Sequence, residues 1–298
     1  MRKYIYLLIL LLGFTKISNA QEDLLGMLDA ESDKKPVLVF ATFKSTRVVN
    51  GQSIEHVAAK HLNFVILHRF GELNGGAYQL WGLDQANIRL AFDYGITNKI
   101  QAGLARSSFG KTYDANLKVK FFGQSKGKGG MPVSMGYYGN MAVNTLTWDF
   151  PQRQNFFTSR LSFLNQIILA KKFGDKLSLQ VSPTLVHYNL VRRTADPNTI
   201  FALGTAVSIK LNRSIRLNIE YYSRLNGRDV PNRAGQKLYD YLGLGVDIET
   251  GGHVFQLMLS NSLGMLEQHQ IAETAGSWEN MAVRLGFNVS RTFSFDKK

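Results

Sequence analysis

The fold class this sequence predicts is all-β: a transmembrane antiparallel β-barrel of about 12 strands with a short N-terminal helical or extended segment. Three observations carry that expectation. Apolar and polar residues alternate with period two in one segment after another, the mark of a strand with one greasy and one wet face. Most of these segments are about 10 residues or slightly longer, the length a tilted strand needs to cross a bilayer. The connections alternate between short and long along the chain, as they do when successive turns fall on opposite sides of a membrane.

The chain opens with MRKYIYLLILLLGFTKISNAQED. Arg2 and Lys3 precede an apolar run from Tyr4 to Phe14, and Ser18 and Ala20 set small residues in an A-x-A-like pattern. This reads as a secretory signal peptide over residues 1–20, cut between Ala20 and Gln21. The run is too short for a membrane anchor, which needs about 20 apolar residues. No other window approaches 18 consecutive apolar residues, and the chain has no cysteine. An exported protein without disulfides needs another source of stability, and a closed hydrogen-bonded sheet supplies one.

Residues 21–57 form the second element. In QEDLLGMLDAESDKK, Leu24, Leu25 and Leu28 share a helical face, PVLVFATF from Pro36 reads as a short extended piece, and KSTRVVNGQSIEHVAAKH is polar and mixed. Two readings stand side by side. The segment is a plug that tucks Lys44, Arg47, Asn50, Gln52 and His56 into the lumen, or it is a periplasmic tether against the base of the barrel. It has too few apolar residues for a core of its own.

The barrel domain spans 58–298. Its strands are expected near 60–70, 86–95, 99–107, 112–122, 132–144, 158–171, 177–189, 200–211, 214–224, 239–248, 253–262 and 281–294. IRLAFDYG sets Ile88, Leu90, Phe92 and Tyr94 against Arg89, Ala91 and Asp93; the turn-like GITN follows, and Ile100, Ala102 and Leu104 then alternate with Gln101, Gly103 and Ala105, completing a hairpin. YDANLKVKFF, LSLQVSPTLV, IRLNIEYYS and MAVRLGFNVSRTFSF repeat the pattern. Even-to-odd joins such as ITNK, KFGDK, NRS and ETGG are short, with one longer, GQSKGKGGM from Gly123, whereas the odd-to-even joins are mostly long: 71–85, 145–157, 190–199, 225–238 and 263–280. Aromatics near the strand ends, among them Tyr94, Tyr113, Phe121, Trp148, Tyr221, Trp278 and Phe293, suit two interfacial girdles. Pro183 interrupts a strand, so a bulge or a late strand start is expected there. RLSFLNQIILAKK has mixed faces. Arg106 falls on the lipid side of the third strand, and the reading adopted is that the strand has already ended; the competing one is contact with lipopolysaccharide phosphate.

Strand parity sends a polar set inward. It includes the basic residues Arg89, Lys118, Lys120, Lys210, Arg216 and Arg284, the acidic residues Asp93, Asp114, Glu220 and Asp247, and Asn116. Eight strands are filled by their own side chains and 16–18 leave a channel, so twelve is intermediate. The inward charges either pair and close the lumen or line a narrow pore with a mild anion preference.

The formal charge is +13, and +10 without Arg2, Lys3 and Lys16. The cations are scattered and the chain is exported, which excludes nucleic acid and favours an anionic lipid surface, outer-membrane lipid and lipopolysaccharide. There is no G-x-S-x-G elbow, no serine two residues from His187, and His61, His68 and His253 read as rim residues. Glu267, His269 and Glu273 in EQHQIAE are too common a polar-loop pattern to make a metal site. No catalytic residue, metal or cofactor is expected.

The stretches ATFKSTRVVNGQSIEHV from Ala41, NGGAYQLWGLDQANIRLAFDYGITNKIQAGLARS from Asn74 and YDANLKVKFF from Tyr113 resemble a family of uncharacterised outer-membrane β-barrel proteins of the Bacteroidota, a domain-of-unknown-function family. The resemblance covers nearly the whole mature chain and is strongest in its first third. It implies a barrel and its compartment, the outer membrane of a double-membrane Gram-negative bacterium, and no catalytic residues. The leading functional expectation is a porin-like narrow pore or passive transporter for small polar or anionic solutes. The alternative is a closed barrel that serves as a membrane anchor or docking partner for periplasmic proteins.

Overall fold

The computed structural model of the chain describes residues 36–191, 193, 194, 196–227, 231 and 235–295. The leader read at 1–20 and the helical spacing at 21–35 lie outside these residues. Residues 36–39 and 124–132 make a small separate unit in which Val37–Leu38 pairs antiparallel with Ser125–Lys126.

Twelve strands form the barrel: β1 His61–Glu72, β2 Ala86–Gly95, β3 Ile100–Ser107, β4 Thr112–Phe122, β5 Ser134–Asn144, β6 Leu161–Phe173, β7 Leu177–Tyr188, β8 Thr199–Lys210, β9 Ile215–Arg224, β10 Tyr241–Thr250, β11 His253–Ser260 and β12 Arg284–Ser294. Each pairs antiparallel with its neighbours, and β12 pairs back with β1 from Arg284 opposite Glu72 to Ser294 opposite His61, closing the sheet. Closure matters because a membrane offers no water to an unpaired strand edge. Among the described residues no helix is long and apolar enough to cross a membrane.

The period-two pattern sets which way each side chain points. On β2, Arg89, Ala91 and Asp93 are buried inside, while Ile88, Leu90, Phe92 and Tyr94 are exposed on the outer wall. On β9, Arg216, Asn218, Glu220 and Tyr222 point in and Leu217, Ile219 and Tyr221 point out. One end of the barrel carries the short joins at 96–99, 174–176, 211–214 and 251–252. The other carries the long loops at 73–85, 145–160, 189–198, 225–240 and 261–283.

Three local expectations are corrected or completed. Pro183 makes neither a bulge nor a late start: β7 runs through it, Pro183 faces outward opposite Leu203, and pairing with β6 skips Ile167 and Ile168 and resumes in the same register. A proline removes one ladder donor, and a strand can absorb that without shifting. Arg106 lies inside β3, opposite Leu90 and Tyr113, so the strand has not ended there; its guanidinium sits 5.8 Å from the Tyr113 ring. On β6, Leu164 and Ile168 point inward beside Gln166. The mixed faces of that strand thus come from apolar residues that face the lumen.

Those inward apolar residues have a partner. Phe43, Val48, Val49 and Ile54 of the N-terminal segment pack inside the barrel against Tyr138, Leu164, Ile168, Val186, Tyr222, Tyr241 and Met258 of the wall, together with Ile271 and Ala272 of the 261–283 loop. The barrel therefore has a hydrophobic core along its axis.

Candidate functional site: the filled lumen

Residues 40–57 enter the lumen as a tight hairpin without helix. Val48 N–H donates to Gly51 O (2.9 Å) and Ser53 N–H to Thr46 O (2.9 Å), with Arg47 bridged to Gln52. At the tip, three successive backbone N–H groups converge on one wall carboxylate: Val49 and Asn50 donate to Glu220 Oε2 at 2.7 and 2.9 Å, and Gly51 to Oε1 at 2.8 Å. A carboxylate is acceptor-only when ionised, which suits a nest of amides. Gly51 is required for this approach, since a Cβ there would stand 2.5 Å from both Glu220 Oε1 and Tyr222 Oη.

The rest of the wall reads the hairpin mainly through its backbone. Lys118 Nζ donates to Thr46 O (3.3 Å) and Glu55 O (2.6 Å), and also to Gln52 Oε1 (3.2 Å). Arg216 donates to Thr42 O (2.9 Å) and Ala41 O (3.1 Å). Gln180 reaches Gln52 O (2.8 Å), Gln256 reaches Val48 O (3.1 Å), and Asn288 reaches Val49 O (3.1 Å). Arg69 donates to Asn50 Oδ1, and Gln101 accepts from Val57 N–H (2.9 Å). Thr46 O also accepts from Ser53 N–H and Ala41 is exposed; the other contacts pair main-chain or amide groups that the barrel interior removes from bulk water.

The long-loop end is closed by a second inward element. Helix α1, Glu267–Ala272, lies wholly buried although its sequence is EQHQIA. Gln268 Nε2 donates to Asn140 Oδ1 (2.6 Å), and Tyr188 Oη donates to Gln268 O (3.2 Å). The loop and the hairpin meet: Arg47 Nη1 stands 3.8 Å from Glu267 Oε1, both side chains being 1% exposed, and Asn50 Nδ2 donates to Gly264 O (3.4 Å). Burial pushes the Glu267 carboxyl up from the usual carboxylate range, and Arg47 opposes the shift. Sequence reasoning read 263–280 as an exposed outer loop. The signal available was its apolar content, Leu263, Met265, Leu266 and Ile271, which a solvated loop does not need.

The residues expected to line a pore divide into three groups. Lys118, Arg216 and Glu220 hold the hairpin. Arg89 and Asp114 form a two-point ion pair, the second contact at 2.9 Å, with Asn140 also donating to Asp114 (2.8 Å); Asn116 lies 3.4 Å from Asp93; and Arg284 binds Glu72 near the long-loop rim. Lys120 and Lys210 are half-buried at the short-turn mouth. Of the candidate plug residues, Arg47 and Asn50 are interior. Lys44 pairs with Glu249 and donates to Arg213 O (3.1 Å) at the mouth. His56 Nδ1 lies 3.0 Å from Ile54 O. Its pKa is lowered to about 3, first by burial and then by the charges of Lys118 and Lys120, so this nitrogen carries the proton of a neutral ring and donates it to the carbonyl.

Glu267, His269 and Glu273, weighed as a metal pattern, lie on α1 and its cap, and among the described residues no three His, Asp or Glu side chains are placed to hold a metal ion.

No curated protein matches the sequence. Among solved structures the chain is similar in fold to the NanC porin (9% identity, 79% of this chain and all of that one, TM-score 0.47) and the KdgM porin (8% identity, 79% and 99%, TM-score 0.44). It is also similar to the COG4313 outer membrane channel from Pseudomonas putida F1 (12% identity, 82% and 100%, TM-score 0.49). A family model described as a membrane bound beta barrel domain, DUF5777, matches residues 43–293, from the lumen hairpin to the last strand, and the chain belongs to that family.

Proposed function

We propose that this protein is a closed outer-membrane barrel, reached after removal of residues 1–20, that serves as an anchor or docking partner for periplasmic proteins and carries out no catalysis. The observation that supports this reading is the filled axis. Residues 42–57 occupy the lumen from the short-turn end and the buried part of 261–277 from the long-loop end, and the two touch through Arg47 and Glu267. In this reading the peptide backbone held by the lumen's polar side chains stands where a solute path would run. The short-turn end faces the periplasm in this arrangement.

The test is single-channel conductance of the intact chain in a planar bilayer. The closed reading expects silence from folded protein. Discrete steps with anion preference would overturn it in favour of a narrow pore for small polar or anionic solutes, in which both inward elements leave the lumen.

A further inference from the structure

Among the described residues the basic excess is not spread evenly. Among the described residues of the barrel unit, ten exposed or half-exposed lysines and arginines lie at the short-turn end, against three carboxylates, Glu55, Asp175 and Glu249. Glu249 is already paired with Lys44. At the long-loop end seven such cations meet six carboxylates, a near balance.

The placement of the excess identifies the partner. Lys99 lies in the β2–β3 turn, Lys176 in the β6–β7 turn and Arg213 in the β8–β9 turn, all exposed. Lys171 and Arg291 project from the outer wall near the ends of β6 and β12, on opposite sides of the barrel. Each sits over an outward phenylalanine two residues on, Lys171 over Phe173 and Arg291 over Phe293, both at 5.1 Å. A cation over an aromatic ring at the end of a membrane strand stands at headgroup depth. A protein partner would need one patch. A ring of cations around the circumference, partly on the lipid-facing wall, fits an annulus of lipid.

We propose that the short-turn end carries a ring of cationic sites for anionic phospholipid headgroups. The sequence alone pointed to lipopolysaccharide as well, but among the described residues the excess lies at the end opposite the long loops. The inference rests on membrane residence and not on whether the lumen is open, so conductance and lipid selectivity can fail independently.

The experiment is native mass spectrometry of the intact chain released from mixed vesicles of phosphatidylglycerol and phosphatidylcholine, scoring which lipids it retains. A surface lysine or arginine favours an anionic leaflet by roughly fivefold. Wild type should therefore retain phosphatidylglycerol at least about threefold over its share, and K99Q/K171Q/K176Q/R213Q/R291Q should retain the two lipids near their mixing ratio. Should that variant fail to fold, salt on the wild type is the second arm: raising it from about 0.1 to 1 M shortens the screening length from about 10 to 3 Å and should remove the preference. K111Q/R153Q/K237Q at the long-loop end should leave the preference intact. No preference in wild type, a preference that survives high salt, or one lost equally in the long-loop variant would each overturn the proposal.

Discussion

Replacing Glu220 by glutamine tests the hold on the lumen hairpin at its tightest point. Glu220 accepts three backbone N–H bonds, at 2.7, 2.9 and 2.8 Å, in a fully buried site. Hydrogen bonds to a charged group contribute about 1.5–3 kcal/mol each, and neutral ones about 1. Glutamine keeps the shape but offers one carbonyl oxygen, and its NH2 meets an amide that also donates. Two bonds weaken to neutral strength and the third becomes a donor facing a donor. The expected loss is about 3–4 kcal/mol, or roughly 10²–10³-fold in the population of the released hairpin. Hydrogen exchange followed by mass spectrometry reads this directly, because local opening sets the exchange rate of buried amides. In E220Q the amides of Val49, Asn50 and Gly51 should exchange about 10²-fold faster or more, while those of β9 and β10 hold their wild-type protection. Unchanged protection at the hairpin tip would refute the reasoning, and loss throughout the barrel would show that Glu220 supports the sheet and not the hairpin.

Further predictions follow from the same geometry. G51A places a Cβ against Glu220 Oε1 and the Tyr222 hydroxyl, so it should release the hairpin tip to a similar degree by the same exchange readout. R47A leaves Glu267 buried without its partner and should destabilise by about 3–5 kcal/mol, whereas R47M/E267Q, which removes both charges, should recover most of that loss in a denaturant titration. His56 is neutral in the folded chain with a pKa of about 3, against 6.5 when unfolded. Its contribution is therefore fully present above pH 6.5 and falls as pH drops from 6.5 toward 3, since only the unfolded chain takes up the proton. Wild type should lose more of its Tm between pH 7 and pH 4.5 than H56Q; equal losses would remove His56 as the cause.

The barrel was legible because its determinants are local. A strand that separates lipid from the interior must alternate, and IRLAFDYG and IRLNIEYYS state which residues go where before any partner is known. Closure then follows from the membrane, which tolerates no free edge. The site was less legible. Parity alone sends Arg89, Asp114, Lys118, Arg216 and Glu220 inward, and all five are found there. Parity cannot say what an inward charge meets. Lys118 and Glu220 face a hairpin more than 60 residues away in sequence, and Arg89 faces Asp114 two strands away.

What the sequence by itself determined is the alternation, the strand lengths, the rhythm of short and long joins, and the inward polar set, each a property of a few neighbouring residues. What only the tertiary structure decided is the state of the lumen. The apolar residues Leu164 and Ile168 look like errors of pattern on β6 until Phe43, Val48, Val49 and Ile54 are packed around the same axis. The polar EQHQIA reads as a solvated loop until it is found folded inward with Glu267 beside Arg47. Both depend on contacts between segments far apart in the chain, where burial and charge pairing are set by the closed volume and not by local spacing.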